Sequence, residues 1–166
     1  MATPTNLPAS FVSGAILTAA QQNDLRGAFR ILQVVSGSTN SVTTNSTTTF
    51  ADTGLSLAIT PQSSSSKILV VVSQTFSKSS ANAANSVKCN LYRNSTIIAA
   101  ISGAGLYTGT AIDLVGMPST FNWLDSPATL STVTYKTMFA NFTAAAQVQF
   151  NSNSSDSSIL LMEVSA

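Results

Sequence analysis

Asp52-Thr53-Gly54 is the one stretch of the chain that spells a catalytic motif. In aspartic proteases two such loops meet across a two-fold axis, so that two carboxylates share one proton. A single copy would have to dimerise. It should also follow an apolar strand and be joined later by a glycine-bearing apolar strand. Here Ala51 precedes it, Leu55 follows it, and the later stretch IIAAI (97–101) has no glycine. The same residues read better as a β-turn between strands, with Asp52 capping the backbone two residues on and Gly54 supplying a positive φ.

The other chemistry-bearing residues show no site in their spacing, although a fold could still bring two acids together. Asp24, Asp52, Asp113, Asp125, Asp156 and Glu163 stand singly, and their spacing builds no carboxylate pair. Histidine is absent, which removes the commonest general base and metal ligand together. In GAGLYTGT (103–110) a dinucleotide fingerprint would need its third glycine where Thr108 stands, followed by a helix. The next stretch, AIDLVG, reads as a strand. NSNSSDSS (151–158) is rich in oxygen ligands for calcium but offers one carboxylate, and a solvated hairpin loop accounts for it better. Tyr92, Tyr107, Tyr135 and Trp123 could stack on a sugar, although such aromatics more often fill a core or a subunit interface. The reading is non-enzymatic, with no catalytic residue, cofactor or metal.

Composition narrows the class further. The 166 residues suit one ordinary domain, and 44% are hydrophobic, enough to bury a core. Only 8% are charged, about a third of the usual ~25%. Small polar residues take their place: 27 Ser, 21 Thr and 12 Asn, which suits many strands and turns. The net charge is +1 with no basic run, so nucleic acid is not an expected partner. The single Cys89 excludes an intramolecular disulfide and should point into the core beside Val87 and Leu91. MATPTNLPAS has neither a basic n-region nor an apolar h-region, and ILVVV (68–72) falls far short of the ~18 apolar residues of a membrane span, so no membrane is expected.

These residues must be positioned by a few kinds of element. Residues 1–17 carry Pro4, Pro8 and isolated apolar positions at Leu7, Phe11, Ile16 and Leu17, and read as an extended arm. TAAQQNDLRGAFRILQVV (18–35) predicts one short helix. Thr18 and Gln21 form a capping box, Leu25, Phe29 and Leu32 make an apolar stripe widened by Ala28 and Ile31, and Gly27 weakens it. From Ser36 a polar loop runs into a Thr-rich strand ending near Phe50. About ten short segments follow, among them LSLAIT, KILVVVSQTF, the hairpin SVKCNLYR-NS-TIIAAI and SILLMEV. That spacing predicts an antiparallel β-sandwich. The expected division is 1–35 for arm and helix and 36–166 for the sandwich.

Two stretches resemble a known group of proteins. NLPASFVSGAILTAAQQNDLRGAFRILQVV (6–35) is similar to the N-terminal segment of small structural proteins of tailed bacteriophages, especially those of cyanobacteria and other aquatic hosts. TFADTGLSLAITPQSSSSKILVVVSQ, LYRNSTIIAA, GLYTGT and WLDSPATLSTVTYKTMFAN resemble a β domain of phage tail-fibre and capsid-surface proteins. The resemblance implies a trimeric jelly-roll-like module on the virion surface, made in the host cytoplasm and attached through its N-terminal segment. Leu7, Phe11, Ile16 and Leu17 would anchor it, and three copies of Leu25, Phe29 and Leu32 would bury one another. The implied partners are the chain itself and the major capsid protein or another virion protein. Two roles stay open. One is a capsid decoration or cement protein; the other is a tail-fibre or head-fibre component that binds a host surface glycan.

Overall fold

The computed structural model describes residues 14, 16, 18–19, 30–78, 81–112, 115–144, 146–152 and 155–165. Among the described residues ten strands follow one another: β1 Ile31–Thr39, β2 Thr43–Asn45, β3 Ala51–Ile59, β4 Lys67–Lys78, β5 Val87–Arg93, β6 Thr96–Gly105, β7 Gly116–Asp125, β8 Val133–Asn141, β9 Val148–Phe150 and β10 Ser157–Val164. Every pairing between them is antiparallel.

β10 pairs with β4 along Lys67–Ser73, and β9 takes over along Phe76–Lys78 on the same edge. β1 and β2 likewise lie end to end beside β10 and β9. β7 holds the other edge of β4. The first sheet is therefore four strands wide, in the order β1/β2, β10/β9, β4, β7. The second runs β3-β8-β5-β6. Every link between these eight strand positions crosses from one sheet to the other except the β5–β6 hairpin. That is a jelly roll, and the expected mainly-β sandwich is what the chain forms.

The alternation in β4 shows why these residues pair this way. Ile68, Val70, Val72, Gln74 and Phe76 point between the sheets, where they meet Leu55, Leu91, Phe139, Ile159 and Leu161. Phe76, Phe139 and Phe150 pack at ring-centroid distances of 5.7–6.4 Å. The hairpin turns at Asn94, whose φ of 54° is the left-handed conformation that Asn tolerates. Asn94 Oδ1 also accepts from the Thr134 amide at 2.9 Å, tying the turn to β8.

Several local expectations need correction. Residues 31–35, assigned to the helix from their spacing, form the start of β1, so Leu32 lies on a strand beside a bulge. Tertiary pairing with β10 outweighs the i, i+4 pattern, because the β-branched Ile31, Val34 and Val35 gain a partner strand. Ala19 is helical and follows Thr18. The rest of the expected helix, with Leu25 and Phe29, lies outside the described residues, as do Leu7, Phe11 and Leu17. Residues 36–39, read as a polar loop, complete β1, since only alternate positions of an edge strand need be apolar. The Thr-rich strand is β2 and ends at Asn45. Ala111 and Ile112 of AIDLVG are irregular, and β7 begins at Gly116.

Candidate interaction face

Asp52-Thr53-Gly54 is not a turn between strands. It is a bulge inside edge strand β3, where the register with β8 shifts between Asp52 and Ser56. Gly54 has φ +83°, and its amide donates to Asp52 Oδ1 at 2.9 Å, as the Asx reading requires. Thr53 is buried and bonds Thr137 through both its hydroxyl and the carbonyl oxygen of that residue, at 2.8 and 2.9 Å. Asp52 pairs with Lys136 at 2.9 Å, so its carboxylate faces a cation. A bulged edge also resists pairing with foreign strands.

Asp125, Glu163 and Lys78 tie strands and loops together. Asp125 Oδ2 accepts from Arg93 Nη1 at 2.8 Å and from the buried Tyr135 hydroxyl at 2.7 Å. Burial, then the hydrogen bond and charge of Asp125, raise the Tyr135 phenol far above its ordinary value, against a smaller opposing effect of Arg93. The buried Glu163 carboxylate accepts from Gln33 Nε2 at 2.5 Å and the Gln62 amide at 2.8 Å, joining β1 to the β3–β4 loop. Lys78 Nζ, also buried, donates to the Asn82 carbonyl at 2.7 Å and Thr108 Oγ1 at 2.8 Å, holding two loops together. Burial pushes the Cys89 thiol up to about 12, with the hydrogen bond from Gln74 opposing it. Among the described residues no three His, Cys, Asp or Glu side chains come together as a metal site, and no helix is long and apolar enough to cross a membrane.

The four aromatics do not form one platform. Tyr135 is buried, Tyr92 is half-buried on the outside of β5, Tyr107 is exposed in the β6–β7 loop, and Trp123 stacks on Phe121 at the β7 edge with ring centroids 6.2 Å apart. Of the anchoring residues read from the sequence, Ile16 is described and is 94% exposed.

What the structure does assemble is a surface. Residues paired across a sheet share a face. On the first sheet Val35, Leu161, Val70 and Trp123 form one inward row. The neighbouring rows therefore point outward. Val34, Met162, Leu69 and Leu124 make one of them, the next is Leu160 and Val71 flanked by Ser36 and Asn122, and Ile31 and Val164 extend the patch. Ile31, Val34 and Leu124 are 58%, 54% and 52% exposed. Lys67, paired with Val164 at the margin, is the one charged residue in these rows. Further along, the same face turns to hydroxyls at Ser38, Ser158, Ser73 and Thr120. The outside of the second sheet is different in kind. It carries Asp52 paired with Lys136, Asn90, and Lys88 lying 4.8 Å over the Phe142 ring. Tyr92, Met138 and Ile97, the last 52% exposed, lie among these polar groups, so the second face is mixed where this end of the first is mostly apolar. A contiguous exposed apolar patch of this sort marks a contact surface.

One solved viral structure shares this architecture, and a second aligns over more of this chain. A chain of infectious bursal disease virus, Gx strain, superposes with a TM-score of 0.52 at 9% identity, over 81% of this chain and 33% of that one. A chain of T=1 particles derived from infectious bursal virus gives 0.48 at 10% identity, over 96% and 40%. The likeness is to chains of viral structures. At this identity it establishes a common fold, and the fold assignment rests on the first of the two. The chain spans about a third of the length of that viral chain. No family model and no curated protein matches the sequence.

The apolar face was missed in the sequence, though a signal for it was present. ILVVV and SILLMEV are continuous apolar runs, and a strand exposed on one side should alternate. Such runs mark strands whose second face is also covered by something.

Proposed function

We propose that this chain is a non-enzymatic structural protein of a tailed-bacteriophage virion, a decoration or cement protein that sits on the shell as a homotrimer and stabilises it. The observation that carries the reading is the jelly roll, which matches a viral chain at a TM-score of 0.52. Two further features support it. The low charge leaves few ion pairs whose strength would vary with external salt. The exposed apolar residues Ile31, Val34 and Leu124 of the first sheet suit a contact with a partner. In this reading the arm at residues 1–17 anchors the protein to the major capsid protein through Leu7, Phe11, Ile16 and Leu17, by groove burial or strand addition. The 94% exposure of Ile16 leaves that side chain free for such a contact.

A second reading makes the protein a tail-fibre or head-fibre component that binds a host surface glycan. Exposed Tyr107 and Phe142, both in connecting loops, favour it. Copy number in purified particles separates the two. Hundreds of copies per particle fit a shell protein, a handful in multiples of three fits a fibre, and absence from particles overturns both.

A further inference from the structure

Glu163 is a fully buried carboxylate, and among the described residues it has no ion pair. It lies on an inward row of the first sheet with Gln33, Ile68 and Asp125. The two acids of that row are held differently. Asp125 faces Arg93 at 2.8 Å. Glu163 is held by N–H groups: Gln33 Nε2 donates to Oε2 at 2.5 Å, and the amides of Gln62 and Ser63 donate to Oε1 at 2.8 and 3.3 Å. Gln33 Nε2 also donates to the Thr60 carbonyl at 2.7 Å, and Gln62 Nε2 to the Leu32 carbonyl at 3.3 Å. One carboxylate thus closes a ring of bonds between the start of β1, the end of β10 and the β3–β4 loop. The charged groups on the surrounding elements are engaged elsewhere. Arg30 and Lys67 are exposed, and Asp52 and Lys136 pair with each other on the outside of the second sheet. The Tyr135 hydroxyl donates to Asp125, and residues 60–66 of the loop carry no charge.

Such a ring needs the ionised form. Both oxygens of the carboxylate act as acceptors here, whereas a carboxyl group carries a proton on one of them. A proton on Oε2 would face the Gln33 N–H, and a proton on Oε1 would face two backbone N–H groups. Turning the Gln33 amide over lets its oxygen accept the new proton, but sets that oxygen against the Thr60 carbonyl. Each arrangement breaks the ring at one point, and each loses the charge that strengthens the remaining bonds. We propose that Glu163 is an acid-sensitive latch: when its carboxylate takes up a proton, the start of β1 and the β3–β4 loop release each other while the rest of the sandwich stays closed. The support is present while the group is ionised and is lost as the pH falls. Because β1 continues from residues 1–30, acid would loosen the joint between that segment and the sandwich. The inference goes beyond the virion reading and does not depend on it.

The test follows amide hydrogen exchange of the purified full-length protein by mass spectrometry at pH 7 and pH 4. Protection is expressed against the free-chain rate at each pH, which removes the intrinsic effect of acid on exchange. Between the two values, protection of residues 31–35 and 60–63 should fall at least about tenfold, while that of β5 stays within about threefold. Glu163→Gln keeps the shape and removes the charge, so it should show the low protection at both pH values. Gln33→Met cuts the tie on the β1 side; it should abolish the acid response of residues 31–35 and keep that of Gln62 and Ser63. Silence of Cys89 towards a thiol reagent at pH 7 shows that each variant is folded. If Glu163→Gln did not fold, the wild-type and Gln33→Met profiles would still decide. Equal protection at both pH values in the wild type would overturn the proposal, as would a folded Glu163→Gln protein that still responds to acid. A loss in β5 as large as that in β1 would overturn it too, because acid would then be unfolding the whole sandwich.

Discussion

Replacing Cys89 with alanine should make the protein less stable at neutral pH and more stable in alkali. The thiol is fully buried and touches Gln74 Nε2 at 3.4 Å. At pH 7 the thiol is protonated in both folded and unfolded chains, so ionisation contributes nothing. The substitution there leaves a small cavity, about 1 kcal/mol, and strips Gln74 of a partner, about 1 kcal/mol more. Alkali reverses the balance. The unfolded thiol ionises around 9.0, while the folded one is held up to about 12. A group whose folded value is raised supports the fold below its unfolded value, and that support is lost as pH climbs from the one to the other. At pH 11 the wild type has lost roughly 2 pH units' worth, about 3 kcal/mol, and Cys89→Ala has lost none of it. The two stability curves should therefore cross between about pH 10 and 11. Urea unfolding followed by circular dichroism from pH 7 to 11 measures the difference directly. A difference that stays constant across that range refutes the reasoning, and so does rapid thiol labelling of the native wild type at pH 9.

Two further substitutions probe the interior. Tyr135→Phe removes the hydroxyl that donates to Asp125 at 2.7 Å; the cost should be about 2 kcal/mol, or a melting point lower by about 4–8 °C in a domain of this size. Gln74→Leu should raise the melting point by about 2–4 °C, because the buried Gln74 Oε1 has no hydrogen-bond partner and the substitution deletes it at similar volume.

The sandwich was legible in the sequence because its signals are local. Alternation in LSLAIT, the apolar run of β4 and the Asn94-Ser95 turn each act within a few residues, and together they predict strands joined by turns. Features that depend on a distant partner were harder to read. Residues 31–35 have helical spacing, yet they pair with Val164 to Leu161 more than a hundred residues away. The chemistry of Asp52-Thr53-Gly54 was read correctly, with Asp capping and Gly at positive φ, but its position was not. Whether such a device ends a strand or bulges within it depends on β8 lying alongside. Inward-pointing Glu163, Gln74 and Lys78 gave no signal, because their partners come from other strands and loops. The contact face was hidden for a different reason. Its rows are assembled from β1, β10, β4 and β7, which are scattered along the chain and brought side by side by jelly-roll crossing.

The most direct measurement counts this chain in purified phage particles against the major capsid protein by quantitative mass spectrometry, for the full-length chain and for a chain lacking residues 1–17. The account predicts hundreds of full-length copies per particle and none of the shortened chain, with the shortened chain still folded and trimeric in solution. Particles that lack the full-length chain, or that take up both forms equally, would contradict it.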